Sequence, residues 1–286
     1  MSTHHYTTLI SATNLLLHAQ PDWVIIDCRH DLANPDAGRA AYDAGHIKNA
    51  RFAHLDNDLS GAKHAADGTF KGRHPLPDHH NLISKLQHWG ISDDTQVIAY
   101  DAHGGMFAAR LWWLLRSIGH ANVAVLDGGL AAWQAEGQPL STVEPLAAPG
   151  NISFKTPLVH SVNLHHVETH LINPKHVLID ARAPDRFRGE NETIDPVGGH
   201  IPGAKNRFFK DNLLPDGRFK SGHQLQQEFG YLTSDPLHTV MQCGSGVTAC
   251  HNLLAMEIAG MHGASLYPGS WSEWCADPSR PMTTGV

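Results

Sequence analysis

The sequence predicts an α/β fold of two similar domains, each a parallel sheet flanked by helices. Three observations predict it. Short β-branched runs alternate with helical stretches along the 286 residues. Four sequence blocks recur in the same order in both halves. A stretch rich in proline, serine and small residues, "QPLSTVEPLAAPGNIS" at 138–153, separates the halves.

The strands come first. "VIID" at 24–27, "VIAY" and "VAVL" in the first half, then "VLID" and "TVMQ" in the second, are short apolar runs of the kind buried on both faces of a parallel sheet. Between them "NLISKLQHWG", "AARLWWLLRSIG" and "TACHNLLAMEIAG" carry apolar residues at a spacing near 3.6 and end on glycine, as helices do. The repeat pairs "VIIDCR" at 24–29 with "VLIDAR" at 177–182, and "AGHIKNARF" with "GGHIPGAKNRFF". It also pairs "VIAYDAHGGMFAARLWWLL" with "VMQCGSGVTACHNLLAM", and "VLDGGLAAW" with "LYPGSWSEW". The predicted boundary gives domains of 1–146 and 147–286.

Composition narrows the function. Hydrophobic residues make up 41% and charged residues 17%, which suits a packed core and argues against disorder. The net charge is −7 and Lys and Arg do not cluster, so a nucleic-acid partner is not expected. No run of 18 apolar residues occurs, and "MSTHHYTTLISATNLLLHAQ" lacks the basic start and apolar centre of a secretion signal. No membrane association and a cytoplasmic location are the expectation.

The four cysteines, Cys28, Cys243, Cys250 and Cys275, lack C-x-x-C spacing, so reduced thiols are expected rather than a zinc site or a disulfide framework. The 23 histidines include the doublets His4-His5, His79-His80 and His165-His166. These read as solvated surface residues, with no H-x-x-x-H on a clear helix face completing a ligand set; neither metal nor cofactor is expected.

The stretch "MQCGSGVTACHNLL" at 241–254 carries the chemistry. Cys243 follows a strand and precedes a helix, at the carboxyl end where ligands bind in such sheets. A free thiol with a pKa of about 8.5 is mostly protonated at neutral pH. Gly244 and Gly246 are expected to let the loop turn its N–H groups inward, and the helix start adds unpaired donors. Both stabilise a sulfur anion, and a larger anion attached to it. A cysteine at a strand end can also be a small buried apolar residue; the loop and helix start favour the nucleophile, whereas Cys250 reads as core. A cysteine phosphatase needs an arginine six residues after the cysteine to clamp phosphate, and Ala249 stands there. Asp101 holds the equivalent place in the first half.

"CGSGVTA" at 243–249, "GSWSEW" at 269–274, the two "GHI" blocks and "DGG" at 127–129 resemble the two-domain rhodanese-type sulfurtransferases over roughly residues 20–280. The loop is most similar to the 3-mercaptopyruvate branch; the thiosulfate branch carries basic residues where Gly244 and Ser245 stand. The resemblance implies two tandem rhodanese-like domains, the first non-catalytic. It implies ping-pong transfer, in which Cys243 takes a sulfane sulfur from the donor as a persulfide and yields it to cyanide or a thiol acceptor such as thioredoxin. Gly244, Gly246, Val247 and Thr248 would line the donor site. Ser245 is the local candidate for a proton relay, with a turn serine as its alternative. Arg186 in "DRFRG" matches an arginine that binds the donor's anionic group, with Arg188 as second choice. His74 in "RHPLPD", from the first domain, matches a histidine facing the site. Asp180 and Arg182 are expected to form a buried structural pair.

Two positions depart from that pattern. Mercaptopyruvate enzymes carry a second arginine about nine residues after the first; here Asp195 stands there. The acidic residue that should follow the first "GHI" block is displaced, with His54 and then Asp56 in "ARFAHLDNDL". Thiosulfate is therefore the alternative donor, and a non-catalytic sulfur carrier the reading of a different class.

Overall fold

The computed structural model describes residues 5–171, 173 and 175–285. It comprises two compact units. The first is built from Met1–Ser60, Pro77–Leu158 and Leu214–Phe219, the second from Gly61–Leu76, Val159–Leu213 and Lys220–Val286. The units therefore do not divide at residue 146. Residues 147–158 stay with the first unit: Gly150 N–H donates to the Gln87 carbonyl at 2.8 Å, and Leu158 N–H to that of Arg116 at 2.9 Å. Proline-rich composition marked a lack of regular structure there, and backbone hydrogen bonds attach the stretch all the same.

Each unit holds a five-stranded sheet whose paired strands all run parallel. Across the first sheet the order is Leu9–Ile10, Val123–Leu126, Val97–Tyr100, Val24–Asp27, Arg51–Phe52. Across the second it is His160–Ser161, Ser265–Leu266, Thr239–Gln242, Val177–Asp180, Lys205–Asn206. Numbered along the chain, both orders are 1-5-4-2-3. The five strands read from the sequence fall on observed strands, and helices lie at His79–His88, Ala108–Ser117 and Thr248–Ile258. The last two are more buried than one apolar stripe implies. Ala108–Leu115 and Ala249–Met256 are buried residue for residue, as expected of helices covered on every side.

The duplication extends to single hydrogen bonds. Arg29 forks onto Asp27 and reaches the Gly45 carbonyl at 2.7 Å; Arg182 forks onto Asp180 and reaches the Gly199 carbonyl at 2.7 Å. The two GHI histidines also match, His46 stacking on Tyr42 and His200 on Phe187, both with ring centroids 3.8 Å apart. Asp180 and Arg182 are thus the buried structural pair expected. His4 of the first histidine doublet lies outside the described residues. No helix among them is long and apolar enough to cross a membrane.

Candidate active site

Cys243 is the first residue beyond the strand Thr239–Gln242, and the helix Thr248–Ile258 begins five residues later. The thiol is buried, and the N–H of Gly246 donates to its Sγ at 3.1 Å. The backbone of Cys243 is held on both sides. Its N–H donates to Ser270 Oγ at 3.1 Å, and its carbonyl accepts from Trp271 N–H at 3.0 Å. Ser270 sits at φ +54°, left-handed and costly for a side chain. Its hydroxyl also donates to the Tyr267 carbonyl at 2.9 Å, so two hydrogen bonds pin that conformation.

The two loop glycines differ in what they do. Gly246 adopts φ +76°, and a Cβ there would meet the Pro268 carbonyl oxygen at 2.5 Å. Gly244 is not in the left-handed region, contrary to the expectation for both. What it supplies is space. A Cβ at 244 would stand 2.8 Å from Arg73 Nη2 and 3.6 Å from Arg186 Nη2.

The first unit shows what such a loop binds. Asp101 follows the strand Val97–Tyr100 as Cys243 follows its own, and the Leu130 N–H meets the Asp101 carbonyl as that of Trp271 meets Cys243. The Asp101 carboxylate accepts four backbone N–H groups, from His103, Gly105, Phe107 and Ala108, at 2.7–2.9 Å. A strand–loop–helix joint of this design therefore encloses a monoanion with amide donors. In the second unit the anion is not supplied by a carboxylate, and the thiol stands at the same place.

The segment Gly61–Leu76 brings two further groups into the second unit, corrected from the expectation that His74 belongs to the first. His74 Nδ1 lies 2.7 Å from Ser245 Oγ, both side chains buried. The Arg73 N–H donates to Ser272 Oγ at 3.1 Å, and its guanidinium is paired with Asp195. Arg186 donates to Glu192 at 2.8 Å and to Asp195 at 3.4 Å. Two guanidiniums thus share one carboxylate beside Gly244. Burial raises the Asp195 pKa, with the Arg73 charge opposing that rise. Burial also pushes Glu192 upward, but the hydrogen bonds from Arg186 and the amides of Asp195 and Ile194 prevail and its pKa is lowered.

Of the other expected residues, Val247 caps the helix and Thr248 opens it. Arg188 pairs with Glu190 at 2.7 Å, not with the carboxylates that hold Arg186. Cys250 is fully buried and Cys28 and Cys275 nearly so; burial pushes the thiol of Cys28 well up and that of Cys275 to about 11, so neither offers a thiolate. All four cysteines are free thiols. Arg73 escaped the sequence reading, although it directly precedes His74. Among the described residues two groups, His166 with His170 and His176, and His30 with His54 and Asp56, bring three ligand atoms within 4.8 Å of one another. Neither includes Cys243.

The arrangement can place an anionic small molecule against two guanidiniums with a thiol, a hydroxyl and an imidazole at hand. The family model for the rhodanese-like domain matches twice, over residues 12–136 and 164–277. The chain belongs to the rhodanese family. It is 47% identical over 270 residues to the "Probable 3-mercaptopyruvate sulfurtransferase" of Pseudomonas aeruginosa, covering 93% of this chain and 94% of that one. It is 35% identical to the thiosulfate sulfurtransferase of Mus musculus, covering 86% and 84%. The structure of 3-mercaptopyruvate sulfurtransferase from Leishmania major superimposes with a TM-score of 0.82 at 31% identity, over 94% of this chain and 74% of that one. As a rhodanese, this chain is a sulfurtransferase that moves sulfane sulfur through a cysteine persulfide.

Proposed function

We propose that the second unit is the catalytic one and that Cys243 carries the sulfur, with 3-mercaptopyruvate as donor. The observation that carries this reading is the pair of guanidiniums, Arg73 and Arg186, set against Gly244 in the Cys243 loop. Two forks set side by side suit a carboxylate, and the 2-oxo acid presents one a short distance from its sulfur.

The Cys243 thiolate attacks the mercaptopyruvate sulfur. A sulfur–sulfur bond forms, the carbon–sulfur bond breaks, and its electron pair leaves on carbon as pyruvate enolate. Ser245 passes the enolate a proton and His74 restores it through the 2.7 Å hydrogen bond. The outer sulfur of Cys–S–S⁻ rests among the loop amides, in the position a carboxylate oxygen takes in the Asp101 loop. An acceptor, cyanide in an assay or a small or protein thiol such as thioredoxin, then attacks that sulfur and frees the thiolate. The first unit cannot run this cycle, because Asp101 offers no sulfur nucleophile.

Thiosulfate is the second reading. The same guanidiniums can hold its oxyanion, and the Mus musculus relative is named for it. Thiocyanate formation from each donor, with the parent and Cys243→Ser, tests both. Mercaptopyruvate is expected to give the higher rate, and the substitution to abolish it. Undiminished turnover by the serine variant overturns the nucleophile, and a thiosulfate preference overturns the donor alone.

A further inference from the structure

Three histidines of the second unit converge at a place that none of the groups around Cys243 occupies. His166 and His170 lie one turn apart on the helix Leu164–His170, and His176 stands just before the strand Val177–Asp180. This is the H-x-x-x-H pair that the sequence reading did not credit: "HVETH" is short, but the chain does form a helix there. We infer that His166, His170 and His176 form a binding site for one divalent transition-metal ion of the zinc class.

Geometry comes first. One nitrogen from each ring lies within 4.8 Å of the others. Bonds of about 2.0–2.1 Å from three imidazoles to one zinc ion bring such nitrogens to a little over 3 Å, so side-chain rotation closes the set. The ring of His170 lies 4.2 Å from that of His166 and 4.0 Å from that of His176, centroid to centroid. The ligands are also prepared. His170 Nδ1 meets the His166 carbonyl at 2.7 Å; a carbonyl only accepts, so Nδ1 is the donor and Nε2 is the nitrogen left to ligate. His176 Nδ1 is shielded from solvent with no hydrogen-bond partner among the described residues, an orphan that a metal ion would satisfy. Burial, then the neighbouring rings, lower the pKa of His166 and His176, which favours the neutral, ligating form.

Beside the cluster lies a cavity of about 40 Å³ lined by His166, His170, His176, Pro202 and Val240, among others. A further imidazole is near: the His238 ring is 5.1 Å from that of His176, with its Nδ1 2.7 Å from the Asp235 carboxylate. Such a carboxylate–imidazole pair is the usual backing of a metal ligand, so His238 or a water would complete a tetrahedron. Nitrogen ligands without carboxylates favour zinc over magnesium or calcium.

The site lies at the end of the sheet away from Cys243. Val177 pairs with Thr239 and Asp180 with Gln242 in parallel register, so His176 precedes the strands and Cys243 follows them. About 13 Å of strand separates the two ends. An ion there would tie the end of the helix Leu164–His170 to the start of the strand Val177–Asp180, a structural role distinct from sulfur transfer.

The test is competition between a zinc-binding chromophore and the full chain carrying Cys243→Ser, which removes the exchangeable thiol. One equivalent of zinc is expected to bind, with calcium and magnesium ignored. His170→Ala and His176→Ala should each weaken binding by more than the about 10–100-fold that loss of an outer-shell partner costs. His165→Ala, one residue away and exposed, should leave it unchanged. X-ray absorption at the zinc edge should show a nitrogen and oxygen shell near 2.0–2.1 Å. No zinc binding, binding unaffected by both variants, or a sulfur-dominated shell would overturn the site.

Discussion

Arg73 occupies the space that a side chain at Gly244 would need, with Nη2 2.8 Å from where a Cβ would stand. A residue from the first half of the sequence is thereby set beside the loop of the second. The position nine residues after Arg186, where an arginine was expected, is taken by Asp195, and Asp195 holds Arg73. A guanidinium thus stands beside the loop in space although the sequence lacks one at position 195.

Gly244→Ala should displace a flexible guanidinium and little else. We expect unfolding stability within about 1 kcal/mol of the parent. The KM for mercaptopyruvate should rise about tenfold, the loss of one charge-assisted hydrogen bond. Arg73→Ala should raise it about 10–100-fold with a smaller effect on kcat. Gly246→Ala should behave differently, because the new methyl meets backbone and φ is +76°. It should cost about 1–3 kcal/mol of stability, read by urea denaturation.

Ser245 and His74 should matter for one donor and not the other. Pyruvate enolate needs a proton, whereas sulfite leaves thiosulfate as a stable anion. Ser245→Ala and His74→Gln should lower kcat with mercaptopyruvate about 100-fold. Thiosulfate turnover should change much less. Equal losses with both donors in steady-state kinetics would remove the relay from the mechanism.

Asp101→Ala should unfold the first unit more readily. Four backbone N–H groups would lose their shared acceptor in a buried loop. The expected cost is about 3 kcal/mol, measured in denaturant, with Asp101→Asn recovering part of it.

Acid should weaken the anchorage of Arg186. The pKa of Glu192 is lowered in the folded chain, so its contribution is full above the ordinary carboxyl value of 4.5 and is lost as pH falls through the folded value. Thermal unfolding followed from pH 6 downward should show that loss, and Glu192→Gln should flatten the profile. An unchanged slope in the variant would argue against this linkage.

The strands, the central helices and the place of Cys243 were legible in the sequence because each rests on neighbouring residues. The likeness of "MQCGSGVTACHNLL" to "IAYDAHGGMFAARL" locates both loops from sequence alone. What stayed hidden depends on long closures. Arg73 reaches Asp195 across 122 residues, and His74 reaches Ser245 across 171. Nothing periodic marks such partners, although the arginine adjoining His74 was a visible signal. The role of Gly244 was misjudged for the same reason: its neighbours in space are arginines far away in the chain. The histidine pair 166 and 170 was open to view, but the sequence marks no clear helix face there that would complete a ligand set, and the helix that forms is only seven residues long.

The placement of Gly61–Leu76 in the second unit also bears on how the protein is made. That segment leaves the ribosome when the strand Thr239–Gln242 and the Cys243 loop have not been synthesised. Arg73 and His74 must therefore wait, undocked, until the chain has been made past Ser245. A nascent or truncated chain that stops before residue 239 has neither the thiol nor the surface that orders its imidazole. The Cys243 thiol and the surface that seats His74 are laid down in the same late stretch of the chain, so the imidazole gains its Ser245 partner only once that thiol is present.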